Sequence, residues 1–306
     1  MKRPSFLVFL FLSTLTANTI NIPEDYSTIQ AGIDASSDGD TVLVAQGIYV
    51  ENLVLEKEIV LASHAINDDL DDWMNNENIQ NTKIIGNEPT DPKKGSCLQI
   101  SFGYIEPLIL GFTFQDGLGT SMGINDCGVY RTEMSGGAIL AYQSYPTIIY
   151  NHFINNGTSQ VGGGNAAGAA VANGGAISHY DTDDVEFDED RSNPQHGNTV
   201  DFSDMDAVRA YILENDQNSD ETSSTRDRPA TLLAQFNYFE NNSSGNGENF
   251  YSYGYDGDID VSGSIFENID CETNTVNEFV LQSIEDQADY VQDDISGVCI
   301  ENNTFY

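Results

Sequence analysis

The sequence predicts an all-β fold, a right-handed parallel β-helix with a short N-terminal capping helix. Three observations carry this expectation. A helical apolar period gives way to strand-like alternation between residues 22 and 63, the pattern Asn-x-Phe-x-Asn-Asn recurs along the chain, and Gly-Gly-Ala-Ile occurs twice. Hydrophobic residues make up 39% of the 306 positions, enough to build a continuous core rather than a disordered chain.

The chain opens with Lys2 and Arg3, an apolar run from Phe6 to Leu12, and small or polar residues up to Ala17. This is the layout of a secretory signal peptide, so residues 1–18 are expected to be removed and residues 19–306 to form the exported β-helix domain. The apolar run is too short to span a bilayer, and no later segment approaches the length that a membrane helix needs. No membrane insertion is therefore expected. Losing Lys2 and Arg3 takes the formal charge from −38 to −40, because none of the 49 acidic residues lies before the cleavage point. Such a field disfavours nucleic acid and anionic membranes, which need clustered Lys and Arg. It suits a protein held in solution in salty water, and also carboxylates that bind a hard cation such as Ca²⁺.

Ser27-Thr28-Ile29-Gln30 forms a capping box, and Ile29, Ile33 and Ala35 give one apolar face to a short helix that ends before Asp38-Gly39. Val42 and Val44 then alternate as a strand, Gly47 breaks it, and Val50, Leu53, Leu55, Ile59 and Leu61 mark further short strands. A helix placed here covers the open end of the first coil. Downstream, Phe114, Phe153, Phe239, Phe266 and Phe305 occupy equivalent slots at intervals of 39, 86, 27 and 39 residues. In each copy the Phe is expected in the core and the following Asn at a turn, bonded to the next coil. The pairs Gly136-Gly137 and Gly174-Gly175 mark sharp turns that lead into strands; no Gly-Lys-Ser/Thr follows, which argues against a phosphate loop.

Residues 181–229 break the pattern with 15 acidic and 4 basic residues and read as an acidic loop insertion, with a helix around Ala207–Leu213. The chain stops inside a repeat at Cys299–Tyr306, which predicts continuation in a longer protein, a truncated C-terminus. Four cysteines follow the leader. Cys97 and Cys127 are 30 residues apart and Cys271 and Cys299 are 28 apart, about one coil in each case. Disulfides between them could staple neighbouring coils and are worth roughly 3–4 kcal/mol each in the chain-entropy model. Three connectivities are open, and buried thiols are the alternative.

Two constellations carry candidate chemistry. Tyr251, Tyr253 and Tyr255 alternate, so in a strand they share one face and could stack on the C–H faces of sugars, unless that face is core. Tyr142, Tyr145 and Tyr150 make a weaker version of the same case. Asp256, Asp258 and Asp260 continue the alternation, and carboxylates crowded on one face need solvation or a bridging cation, so calcium is expected there and at Asp181, Asp183 and Asp184. His64, His152, His179 and His196 lack metal-ligand spacing and read as turn or surface residues.

The segment Ile22–Ala35, together with Asp38-Gly39-Asp40-Thr41-Val42-Leu43-Val44 and Gly47-Ile48-Tyr49-Val50-Glu51, resembles the opening of extracellular members of the pectin-lyase-like superfamily. The Gly-Gly-Ala-Ile and Asn-x-Phe-x-Asn-Asn repeats are similar to the coils that follow in that superfamily. The resemblance covers most of the exported chain outside the acidic insertion and implies the fold, while the superfamily spans lyases, hydrolases, esterases, epimerases, adhesins and tailspikes. The Asn-Thr-Asp, Asp-Asp and Gly-His-Gly signatures of polygalacturonases are not found in order, and the Asp-Phe-Ile-Phe-Gly stretch of pectin esterases is absent. A lyase of this fold takes its base from Arg or Lys, and an acidic surface repels its polyanionic substrate unless Ca²⁺ reverses the local sign. The expected function is binding of a polysaccharide, a cell-surface glycan or another extracellular surface. A polysaccharide lyase or glycoside hydrolase, with Arg131 or Arg191 in a groove, and a structural spacer are the alternatives.

Overall fold

The computed structural model describes residues 17–91, 94–101, 105–126, 129–158, 171–180, 231–244, 249–253, 258–267, 279–282, 298–301 and 304–305. The acidic segment 181–229, with Asp181, Asp183 and Asp184, lies outside them, as do Tyr255, Asp256, Cys127, Cys271 and His196.

Most of the described chain is short parallel strands, visited in rotation by three sheets. The first sheet holds eight strands from Thr19–Ile22 to Val298–Glu301, the second seven from Gly47–Val50 to Thr304–Phe305, and the third six from Leu53–Leu55 to Phe279–Gln282. Thr41–Val44, Gly47–Val50 and Leu53–Leu55 enter the three in turn, and Val60–Ser63, Thr82–Ile85 and Leu98–Ser101 pair beside them in parallel one round later. This arrangement is compatible with a β-helix. One continuous core fills the space between the sheets, running from Ile22, Val42 and Leu53 to Phe239, Phe250 and Val261.

Helix Ile29–Ala35 buries Ile29 and Ile33 in that core, whereas Ala35 is exposed. Both of its ends are closed by charges of the sign the helix dipole favours. Thr28 Oγ1 accepts from Ala31 N–H, and the Glu51 carboxylate accepts from Ile29 and Gln30 N–H at 3.0 Å each. At the other end Lys57 Nζ donates to the carbonyls of Ile33, Asp34 and Ser36.

The Phe slots behave as expected. Phe114, Phe153 and Phe239 are buried and stack ring on ring, with centroids 5.4 and 5.0 Å apart. The turn after each brings Asp116, Asn155 and Asn241 into the left-handed region, and the next residue is Gly117, Asn156 or Asn242. There the asparagines form a buried ladder between coils. Asn156 Oδ1 accepts from Gly117 N–H at 2.9 Å, its Nδ2 donates to the Phe114 carbonyl at 3.0 Å, and its own N–H reaches Asn242 Oδ1 at 2.9 Å. Asn151 and Asn237 make a second ladder at the preceding corner. In Asn156→Ala the Gly117 N–H loses its acceptor inside the core and the Phe114 carbonyl loses its side-chain donor. The expected loss is about 3 kcal/mol in urea unfolding, with Asn156→Asp, which keeps an acceptor, falling between the two proteins.

A fourth, mixed sheet was not foreseen. Its antiparallel hairpin, Gly119–Asp126 and Val129–Ser135, pairs with Lys94–Gly95 and Val171–Asn173, and Met122 from the hairpin packs against Leu140, Tyr142, Tyr180 and Tyr251 of the third sheet. Tyr251 is 7% exposed as a result, which corrects its assignment as a sugar platform; Tyr142, Tyr145 and Tyr150 are buried as well. Tyr253 ends the same strand.

Cys97 is a free, buried thiol, the alternative that the sequence left open, while Cys127 and Cys271 lie outside the described residues. Its side chain points between two close-packed turns, so that a Cβ added at either Gly86 or Gly117 would lie 2.9 Å from its Sγ, and its thiol donates to the Gln115 carbonyl at 3.6 Å. Burial pushes its pKa up to about 12, which keeps it protonated. Cys299 lies in the strand Val298–Glu301, in register with Asp260. His152 and His179 are not the surface residues expected, because both lie within strands of the packed sheets and are buried. His179 follows Ile177 by two positions, and its Nδ1 meets Ser252 Oγ at 2.9 Å.

Candidate functional site

In a parallel sheet, residues in register form rows that cross the strands, and each row faces one side. In the second sheet one such row reads Ile48, Lys83, Thr113, His152 and Tyr238. It occupies the position just before the core Phe in each repeat and so faces away from the core. The next outward row, Val50, Ile85, Gln115, Ile154 and Glu240, lies two residues on.

A wall rises beside the first row. Residues 64–81 leave the sheets as two 3-10 turns, His64–Asn67 and Trp73–Asn75, and a short helix, Glu77–Asn81. Asn76 caps that helix by accepting from Asn78 and Ile79 N–H, and Asp68 Oδ2 accepts from the amides of Asn76 and Asn78. Ile79 and Leu70 wedge the excursion into a second apolar cluster with Leu108, Leu110 and Ile149. Thr113 Oγ1 donates to the Ile79 carbonyl at 2.9 Å, which ties the wall to the sheet.

Between wall and sheet lies an open groove of about 420 Å³, lined on one side by Met74, Asn75, Gln80 and Asn81 and on the other by Lys83, Thr113, His152, Ile154 and Tyr238. A train of rings runs on from the lining residues His152 and Tyr238. Phe236 stacks on Tyr150 at 5.3 Å, Trp73 meets Tyr150 edge-on at 6.0 Å and His152 at 5.8 Å, and His152 meets Tyr238 edge-on at 5.2 Å.

His152 is the unusual member. It is 4% exposed, and its Nε2 is enclosed with no hydrogen-bond partner. Burial first, and the Lys83 charge second, lower its pKa to about 4, so the imidazole is neutral and can donate at one nitrogen and accept at the other. A buried polar atom left unpaired costs on the order of 1–3 kcal/mol.

None of these groove residues was among the expected sites. Aligning the repeats on Phe would have found them, since Thr113, His152 and Tyr238 each stand one place before Phe114, Phe153 and Phe239. None of the expected site residues that are described lines this groove. Asp258 and Asp260 fall at alternate positions of a strand in the first sheet, in register with Thr231 and Leu233. Among the described residues no three His, Cys, Asp or Glu side chains converge as a metal site, and no helix is long and apolar enough to cross a membrane. Comparison with protein-family models, curated proteins and solved structures finds no match in any of the three.

Proposed function

We propose that the chain is an exported right-handed parallel β-helix of the pectin-lyase-like kind, capped by helix Ile29–Ala35, that binds polysaccharide in the groove over its second sheet. The observation that supports this reading best is the row Lys83–Thr113–His152–Tyr238 facing a wall of amides, with a buried, unpartnered His152 nitrogen at its centre. Polysaccharides offer ranks of hydroxyls for such polar groups. The dense acidic surface serves solubility outside the cell. The calcium sites at Asp181, Asp183, Asp256, Asp258 and Asp260 rest on sequence spacing and are a separate proposal.

A catalytic reading is favoured by one observation, a neutral imidazole beside a phenol with an ammonium two strands away in the same row, which are groups able to move protons. One experiment separates the two readings. The exported chain is run on affinity gels cast with individual polysaccharides, while unsaturated products and new reducing ends are followed in solution. Retention without product is expected, with His152→Ala weakening it about 10-fold, equivalent to about 1.4 kcal/mol. Product formation would make the protein a lyase or hydrolase; absence of both would remove the polysaccharide reading.

A further inference from the structure

Which polysaccharide the groove takes can be argued from its charge and its polar lining. The wall, residues 64–81, carries Asp68, Asp69, Asp71, Asp72 and Glu77 and neither Lys nor Arg, and Glu240 stands in the neighbouring row. Against these, Lys83 is the one cation among the lining residues. A polyuronate presents a carboxylate on every ring, so a chain crossing several coils would set one attraction against several repulsions, each worth about 1 kcal/mol at close range in water. The protein's formal charge of −38 adds a long-range term of the same sign.

The remaining polar lining is uncharged. Asn75, Gln80 and Asn81 present exposed amides, and Thr113 and Tyr238 carry hydroxyls. Amides, hydroxyls and a neutral imidazole each both donate and accept, as sugar hydroxyls do, whereas a carboxylate accepts only. Successive strands stand ~4.8 Å apart, close to the length of one pyranose unit, so an extended chain lying across them keeps step with the sheet.

We infer that the ligand of this groove is a neutral, extended glycan, lying across the strands between Lys83 and the exposed amides of Asn75, Gln80 and Asn81. The inference rests on the polysaccharide-binding reading and narrows it to a class. Lys83 then serves as a hydrogen-bond donor to hydroxyls rather than as the counter-ion of a carboxylate.

Trp73 is the chain's only tryptophan and its ring meets that of the lining residue His152, so its emission reports on the groove through that contact. The whole exported protein is titrated with neutral hexasaccharides (cello-, xylo-, manno- and laminari-series) and with hexagalacturonate, at low and at high salt. A saturable shift of Trp73 emission by at least one neutral series is expected, with little dependence on salt and no shift by hexagalacturonate at low salt. The exposed Asn81→Ala, which cannot disturb the fold, is expected to weaken binding severalfold, and His152→Asn about 10-fold. Tighter binding of hexagalacturonate, weakened by salt, would overturn the neutral class while leaving a polysaccharide groove in place. Retention on affinity gels with no change in Trp73 emission for any glycan would place binding elsewhere and overturn this inference. Failure of both retention and emission change would remove the polysaccharide reading itself.

Discussion

Gly137→Ala is expected to abolish the folded state or to cost more than about 4–5 kcal/mol, the range reserved for severe core clashes. A Cβ at Gly137 would fall on the carbonyl oxygen of Gly175 in the next coil and 2.7 Å from Gly157 N. The coils cannot separate to admit it, because Gly137 N–H donates to the Gly174 carbonyl at 3.0 Å and Ala138 N–H to the Ala176 carbonyl at 2.9 Å. Gly117 repeats the geometry one coil earlier, where its Cβ would fall on the Gly137 carbonyl oxygen. Close packing of backbone between coils, and not a special φ, therefore demands glycine here. Gly39 supplies the contrast: it has φ +85° but nothing within 4 Å of an added Cβ, so Gly39→Ala is expected to cost only ~1–2 kcal/mol. Urea unfolding of the two variants beside the parent checks the difference, and equal losses would mean that coil spacing is softer than the ladder bonds imply.

The same stack of turns shows what the sequence makes legible. Gly136-Gly137-Ala138-Ile139 and Gly174-Gly175-Ala176-Ile177 are visible as a pair because they enter equivalent strands, and Ile139 and Ile177 indeed lie in register. Phe114, Phe153 and Phe239 are visible for the same reason, since apolar residues that repeat with the coil must stack. Residues that do not repeat are harder to place. The hairpin Gly119–Asp126 and Val129–Ser135 occurs in one round, and whether it covers Tyr251 depends on where the chain leaves and rejoins the sheets. Alternation therefore puts Tyr251 on an outward face without revealing that the face is roofed. The wall at 64–81 is built of single turns held by Asn and Asp side chains, and such turns carry no period. The groove has one periodic half and one aperiodic half. Only the row ending at His152 and Tyr238 could have been found from the repeats, and only by comparing columns of the alignment, because Lys, Thr, His and Tyr share no residue class.

Acidification should unfold the protein well before its carboxylates are titrated. His152 and His179 both have pKa values lowered to about 4 in the fold, chiefly by burial, against an ordinary 6.5. The unfolded chain therefore takes up protons that the folded chain refuses between these values. Stability is at its full value above pH ~6.5 and falls as pH drops toward 4, by roughly 3 kcal/mol for each imidazole. The two together approach the whole stability of many domains, so the unfolding midpoint in urea should fall steeply over this window. The sites differ in what surrounds them. His179 is enclosed between Tyr145 and Ser252 inside the coil, and charging it has no outlet. His152 borders the groove beside Trp73 and Tyr238, and Lys83, two strands away across Thr113, adds repulsion to the burial cost. Because a protonated imidazole quenches a neighbouring indole, Trp73 emission should drop as His152 gains its proton, and His152→Asn should remove that step while leaving the steep loss of stability due to His179. Removing His179 as well, in the double variant with His179→Asn, should flatten the stability profile between pH 4 and 6.5. If the parent's stability is flat across that window, the two imidazoles are charged in the fold, and the neutral, double-faced hydrogen bonding assigned to His152 in the groove would fall with it.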